Sequence, residues 1–152
     1  FFPTRRSSDL LPILQIYGSS MSPTLTEGNI VATVKGSKFE TGDIIAFYYN
    51  NKILVKRVIA NAGDWVDIDE NGVVYVNNVA VQEDYIQELA YGEETDREFP
   101  YQVPESMIFV MGDNRRVSVD SRSKAIGNVA EEQIVGKIVF RVWPLNSFGP
   151  VE

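Results

Sequence analysis

The sequence predicts a mainly β protein with strands of uneven length, long connections and few, short helices. Three observations carry this. Most apolar residues fall in short runs of four to ten, rich in Val, Ile, Tyr and Phe. Turn signals separate the runs, and stretches with a helical period are weak.

In chain order, residues 29–34 (NIVATV) and 43–49 (DIIAFYY) read as strands, with a turn at Thr41-Gly42 between them. Residues 52–60 (KILVKRVIA) form a longer strand. Trp65–Asp69 and Val73–Val76 flank Asn71-Gly72, the signature of a type I′ hairpin. A second tight turn at Asn77-Asn78 leads into Val79–Gln82. Residues 107–111 (MIFVM) and 134–142 (IVGKIVFRV) complete the set. Val129–Gln133 and Glu83–Leu89 each suit one helical turn. Residues 90–106, charged and with two prolines, read as an exposed loop. No internal repeat is visible.

Composition narrows the chemistry. At 152 residues, 44% hydrophobic and 23% charged, the chain suits one ordinary globular domain. A net charge of −7 and a pI near 4.7 disfavour a nucleic-acid reader, whose footprint is a basic patch. Without cysteine there is no disulfide, thiolate nucleophile or zinc–thiolate site. Without histidine there is no Ser-His-Asp triad. Acid–base work falls to Asp, Glu, Lys or Tyr. No run reaches the ~20 apolar residues of a membrane span; the stretch Leu10–Ile16 is short and broken by Pro12. The first ten residues, FFPTRRSSDL, differ in texture from the rest and are set apart as an uncertain leader, a non-native stretch being one reading.

Three segments stand out. "YGSSMSPTL" (17–25) crowds hydroxyls between apolar anchors. In the strand Ile53–Ala60, alternation puts Lys56 on one face with Leu54 and Val58, and Arg57 on the other with Val55. An amine on an apolar face loses proton affinity and can serve as a base for a serine. On strand pattern alone, two ordinary strand charges, one snorkelling to water, is the commoner outcome. The third segment, Met111-Gly-Asp-Asn-Arg-Arg-Val-Ser-Val-Asp-Ser-Arg122, spaces Ser118, Asp120 and Arg122 at period two. Such a pair is either a brace for a loop or a weak surface contact.

Together, in this order, the segments resemble the type I signal peptidases, membrane-bound serine proteases that remove signal peptides. Ser20-Met21-Ser22-Pro23-Thr24-Leu25 matches S-M-x-P-T-L, and Gly42–Phe47 matches G-D-(I/V)-(I/V)-x-F. Lys56 to Asp64 matches K-R-V-(I/V)-x-x-x-G-D, and Gly112 to Arg122 matches G-D-N-R-x-x-S-x-D-S-R. The resemblance runs from about residue 11 to the end, and "GNVAEEQIVGKIVFRVWPLNSFG" is similar to the compact Gram-positive form.

The resemblance implies an antiparallel β-sheet or partly open barrel, residues 11–152, with a small β-hairpin insertion at about 65–106. It implies Ser20 as nucleophile and Lys56 as general base, with no metal or cofactor. Ser118 would orient the lysine, Asp120 and Arg122 would hold the loop, and Asp113 would be structural. Ile16, Met21, Leu25, Leu54 and Val55 would line the substrate pocket. The Ser20 N–H would donate to the oxyanion. Some members add a serine hydroxyl two positions earlier; Gly18 stands there, which leaves the second donor open. Val117 replaces a frequent Asn.

Substrates would be preprotein signal peptides cut after Ala-x-Ala, by an enzyme at the outer face of the cell membrane in contact with lipid. The chain is expected to be monomeric, to bind no nucleic acid, and to be a piece lacking the family's anchor helix. Two alternatives stand beside this reading: a self-cleaving serine–lysine repressor-type protease, and a non-catalytic β-domain that binds export substrates.

Overall fold

The computed structural model describes residues 12–36 and 38–152; the leader set apart at 1–10 lies outside them. The strands are β1 (Ile13–Gln15), β2 (Ile30–Val34), β3 (Ile44–Tyr49), β4 (Lys52–Asn61), β5 (Trp65–Ile68) and β6 (Val74–Val76). They continue with β7 (Val79–Ala80), β8 (Tyr101–Gln102), β9 (Met107–Met111), β10 (Val129–Ala130), β11 (Ile134–Trp143) and β12 (Gly149–Pro150). Eight form one sheet in the order β1-β2-β11-β3-β4-β9-β10, with β12 added to β11. Four form a second, small sheet in the order β7-β6-β5-β8. All pairings are antiparallel, and the large sheet does not close. No helix among the described residues is long and apolar enough to cross a membrane.

The β3–β4 hairpin follows directly from sequence. Ile44 to Tyr49 pair one to one with Arg57 to Lys52, so two apolar runs share both faces. On β4, Leu54 and Val58 pack with Phe39, Ile45, Phe47 and Val110; Val55 belongs to the cluster of Ile16, Met21, Leu25 and Ile138. Beyond Val58 a bulge shifts the register against β9, and Ile59 and Ala60 join a third cluster under the small sheet.

Several local expectations are corrected. At Asn71-Gly72 only Gly72 has a left-handed φ (92°), so the turn is not type I′. The Asp69 carboxylate accepts the N–H groups of Asn71 (2.9 Å) and Val73 (3.0 Å), an Asx arrangement that competes with the I′ geometry. The type I′ pattern occurs instead at Asn77-Asn78 (φ 51° and 69°), joining β6 to β7. Val129–Ala130 is a strand on β9, leaving one 3-10 turn at Glu131–Gln133. Glu83–Leu89 forms no helix. The 90–106 stretch is not merely exposed loop: it supplies β8 and buries Val103, with Phe99 and Tyr101 packed on the same cluster. The apolar face of the small sheet has to be covered, and these residues cover it.

Candidate active site

Ser20 sits on the loop between β1 and β2. Ile16, Met21 and Leu25 anchor this loop in a buried cluster, and Leu25 N–H donates to the Met21 carbonyl. Gly18 takes a left-handed φ of 78°, and its N–H donates to Glu27 Oε1 at 2.7 Å. Asn114 holds the loop from the other side. Asn114 donates its backbone N–H to the Ser20 carbonyl (2.9 Å) and its Nδ2 to the Ser19 carbonyl (3.0 Å). Among the described residues the Ser20 N–H donates to nothing, so it remains free for an acceptor from outside.

Lys56 comes from the long hairpin strand β4 and is 4% exposed. Its Nζ lies 3.1 Å from Ser118 Oγ. Ser118 donates its single hydroxyl proton to Asp120 Oδ2 (2.7 Å), so it meets Lys56 as an acceptor. Asp120 also receives Arg122 Nε (2.8 Å) and Nη2 (3.0 Å) and the Gly112 N–H (2.9 Å). Burial pushes the Lys56 amine below its ordinary value, Arg122 adds to that, and Asp120 opposes it. Burial alone would raise Asp120, but the Arg122 guanidinium, the Gly112 N–H and the Lys56 charge together hold it below the usual carboxylate range. The surface alternatives are thereby overturned. Neither Lys56 nor Arg57 snorkels to water, and Asp120 and Arg122 are each 1% exposed.

Arg57 serves as a brace. Its Nε and Nη2 grip Asp113 at 2.9 and 2.7 Å, and Thr24 Oγ1 donates to the same carboxylate at 2.5 Å. Asp113 therefore ties the strand of Lys56 to the loop of Ser20. Gly112 has to be glycine for reasons of space: a Cβ there would lie 2.2 Å from Ser118 Oγ and 2.6 Å from the Ser20 carbonyl oxygen.

Ser20 and Lys56 face the same cleft of about 660 Å³, lined by β1 and the loop after it, Ile16, Met21, and β4 from Lys52 to Val55. They make no hydrogen bond to each other among the described residues. Leu54 and Val55 stand at the wall of this cleft. Leu25 does not: it is 0% exposed and lies in the core cluster with Met21. Sequence reasoning passed over Asn114, Arg57, Thr24, Glu83, Tyr85 and Arg115. Asn114 and Arg115 lay within the last motif. Arg57 adjoined the candidate base and Thr24 lay in the serine motif, while nothing in the sequence singled out Glu83 or Tyr85.

Comparison with known proteins gives the family. Residues 7–143 match the family described as signal peptidase, peptidase S26. A signal peptidase IB of Staphylococcus aureus strain Mu50 is 38% identical, over 88% of this chain and 78% of that protein. A chloroplastic thylakoidal processing peptidase 1 of Arabidopsis thaliana is 37% identical over 85% of this chain, which spans only 41% of the plant protein. A crystal structure of a signal peptidase I from Enterococcus faecalis V583 superposes with a TM-score of 0.52 at 32% identity, covering 66% of this chain and 96% of that one. The chain belongs to the signal peptidase family, peptidase S26, a family of serine peptidases.

Proposed function

We propose that this protein cleaves signal peptides from exported preproteins after a small-x-small sequence of the Ala-x-Ala type, with Ser20 as nucleophile and Lys56 as general base. The observation that carries the reading is a buried amine of lowered proton affinity, held by Ser118 and facing the same cleft as the serine. A neutral amine donates one N–H to Ser118 and keeps a lone pair for a proton.

Lys56 takes the Ser20 proton as Oγ attacks the scissile carbonyl carbon. The Ser20 N–H receives the developing oxyanion; one such donor is typically worth ~3 kcal/mol of barrier. The tetrahedral centre collapses to an ester, and the leaving amine takes its proton from the Lys56 ammonium. Lys56 then takes a proton from the water that adds to the ester. As the bond from the carbonyl carbon to Ser20 Oγ breaks, the Lys56 ammonium returns that proton to Oγ, and the signal peptide leaves as a carboxylic acid that loses its proton to solvent.

The sheet edges support an extended substrate. Among the described residues β1 pairs only with β2, and β4 pairs with β9 only from Arg57 onward, so Lys52–Lys56 has no strand partner on that edge. A peptide strand between these edges adds to the sheet by main-chain hydrogen bonds, and its alternate side chains point toward Ile16, Met21 and Val55. Small residues at the first and third positions before the scissile bond are the preference proposed for this cleft. Exposed apolar side chains, Tyr17 at 77% and Leu145 at 70% together with Ile13, Trp143 and Phe148, support work against a membrane surface at its extracytoplasmic side.

The deciding experiment is cleavage of an Ala-x-Ala preprotein by wild type, Ser20→Ala and Lys56→Ala side by side. Cleavage by wild type alone is expected. Equal cleavage by all three removes the dyad.

A further inference from the structure

The stretch after β7 looks like a plain connection, yet two of its side chains reach the catalytic loop. Glu83 meets the Arg115 guanidinium as a two-pronged pair, Oε1 to Nη1 at 2.9 Å and Oε2 to Nη2 at 2.5 Å. Both side chains are buried. The third donor of Arg115, Nε, goes to the Gly112 carbonyl at 2.8 Å. Tyr85 donates its hydroxyl to Glu83 Oε2 at 2.9 Å.

 In that bond the phenol donates and the carboxylate accepts, so one Glu83 oxygen serves both Arg115 and Tyr85. The Tyr85 ring in turn covers the Arg57 guanidinium, 3.7 Å from ring centroid to Cζ. Burial, and then the Glu83 charge, push the Tyr85 phenol well above its ordinary value, which keeps it protonated as a donor.

Both contacts end on the same turn. Through Arg115 the segment holds the Gly112 carbonyl, and through Arg57 it backs Asp113. Residues 112–118 touch both proposed reacting groups. Asn114 binds the Ser19 and Ser20 carbonyls, and Ser118, whose N–H donates to the Asn114 carbonyl at 2.9 Å, meets the Lys56 amine. The charges that shift the Lys56 amine are those of Asp120 and Arg122. The contacts of Glu83 reach the reacting groups through the turn at 112–118.

We propose that Glu83, backed by Tyr85, is a positioning residue that clamps Arg115 and so fixes the turn aligning Ser20 with Lys56. This rests on the reaction proposed above. The clamp leaves the walls of the substrate cleft, β1 and the open edge of β4, untouched. Its loss should therefore lower kcat and spare KM.

The test combines steady-state cleavage of an Ala-x-Ala preprotein with amide hydrogen exchange on the same proteins. Glu83→Gln should lower kcat roughly tenfold to a hundredfold, the scale of a small misplacement at a reacting centre. Its KM should stay within about twofold of wild type. Exchange at the Asn114 amide should quicken while Ile45, deep in the large sheet, keeps its wild-type rate. Glu83→Asp should recover part of both. Glu83→Met/Arg115→Met, which replaces the pair by apolar groups, guards against a simple folding failure; it should melt near wild type and still turn over slowly. Wild-type kcat with unaltered Asn114 exchange in Glu83→Gln overturns the proposal. So does recovery of kcat together with stability in the double variant, which would reduce Glu83 to packing. If the wild-type chain cleaves no preprotein, the proposed function fails, while the exchange measurement still decides the clamp.

Discussion

The two sides of the cleft are built on opposite plans. The Lys56 side is a ten-residue strand paired through the hairpin with β3, and its polar groups are buried and charged. Ser118, Asp120 and Arg122 surround the amine, and Arg57 holds Asp113 one residue away. The Ser20 side is a loop of turns with a half-buried serine, held mainly by backbone bonds and by Met21 and Leu25 in the core. The difference suits the roles proposed for the two groups. A base of low proton affinity needs dry, apolar surroundings, and charges kept nearby have to be paired. A nucleophile has to remain open to its substrate, so its loop takes its order from a neighbour, the Gly112–Ser118 turn.

The largest effects are expected at the proposed reacting pair. Ser20→Ala and Lys56→Arg should each lower cleavage by about 10⁴-fold or more. Guanidinium keeps the charge but does not deprotonate in proteins. Ser20→Ala should melt close to wild type. Turnover at the wild-type rate by Lys56→Arg sinks the dyad. In wild type, the pH–rate profile should rise at a pH below the ~10.4 of a free lysine, because burial lowers the Lys56 amine.

Next come the buried charges on the lysine side. Asp120→Ala or Arg122→Ala should cost about 3–5 kcal/mol, since each leaves its partner buried and unpaired. Denaturant unfolding measures this; a loss too small to detect would mean that the pair is solvated. Asp120 is depressed in the fold, so its contribution is complete above the unfolded value of ~3.9 and disappears as the pH falls through the folded one. The pH dependence of stability in acid should therefore flatten in Asp120→Asn.

On the serine side the expected losses are smaller. Asn114→Ala removes the side-chain bond to the Ser19 carbonyl but keeps the backbone bond to Ser20. It should cost about 1 kcal/mol of stability, and activity should fall more than stability does. An Asn114→Ala enzyme as active as wild type would show that the nucleophile loop orders itself. The smallest effect is reserved for the exposed pair Arg116–Glu88 at 3.0 Å, where Arg116→Ala should stay within about 0.5 kcal/mol. A larger change there would erase the contrast between buried and exposed charge.

Local pattern was enough wherever neighbours in sequence are also neighbours in space. The long strands were legible because apolar runs and turn residues act within a few positions of each other. β1, β8 and β10 were not, because strands of two or three residues with no tight turn beside them carry too little pattern and pair with a strand across a long connection; β12 was not, because Gly149-Pro150 is a pair of residues that strands disfavour. The Asn71-Gly72 turn was misread because the Asp69 side chain, two positions earlier, took the N–H groups that decide its type.

By itself the sequence determined the class, the long strands and the chemistry available: a serine, a lysine on an apolar strand face, and no histidine or cysteine to compete with them. Those are properties of residue type, period and order. Only the tertiary structure decided which charges are buried and what each one holds. It put Leu25 in the core rather than at the cleft wall, turned Arg57 and Asp113 into a brace, and brought Glu83 to Arg115, 32 positions away. Burial and pairing depend on contacts between distant segments, and such contacts leave no mark in the local pattern of either one.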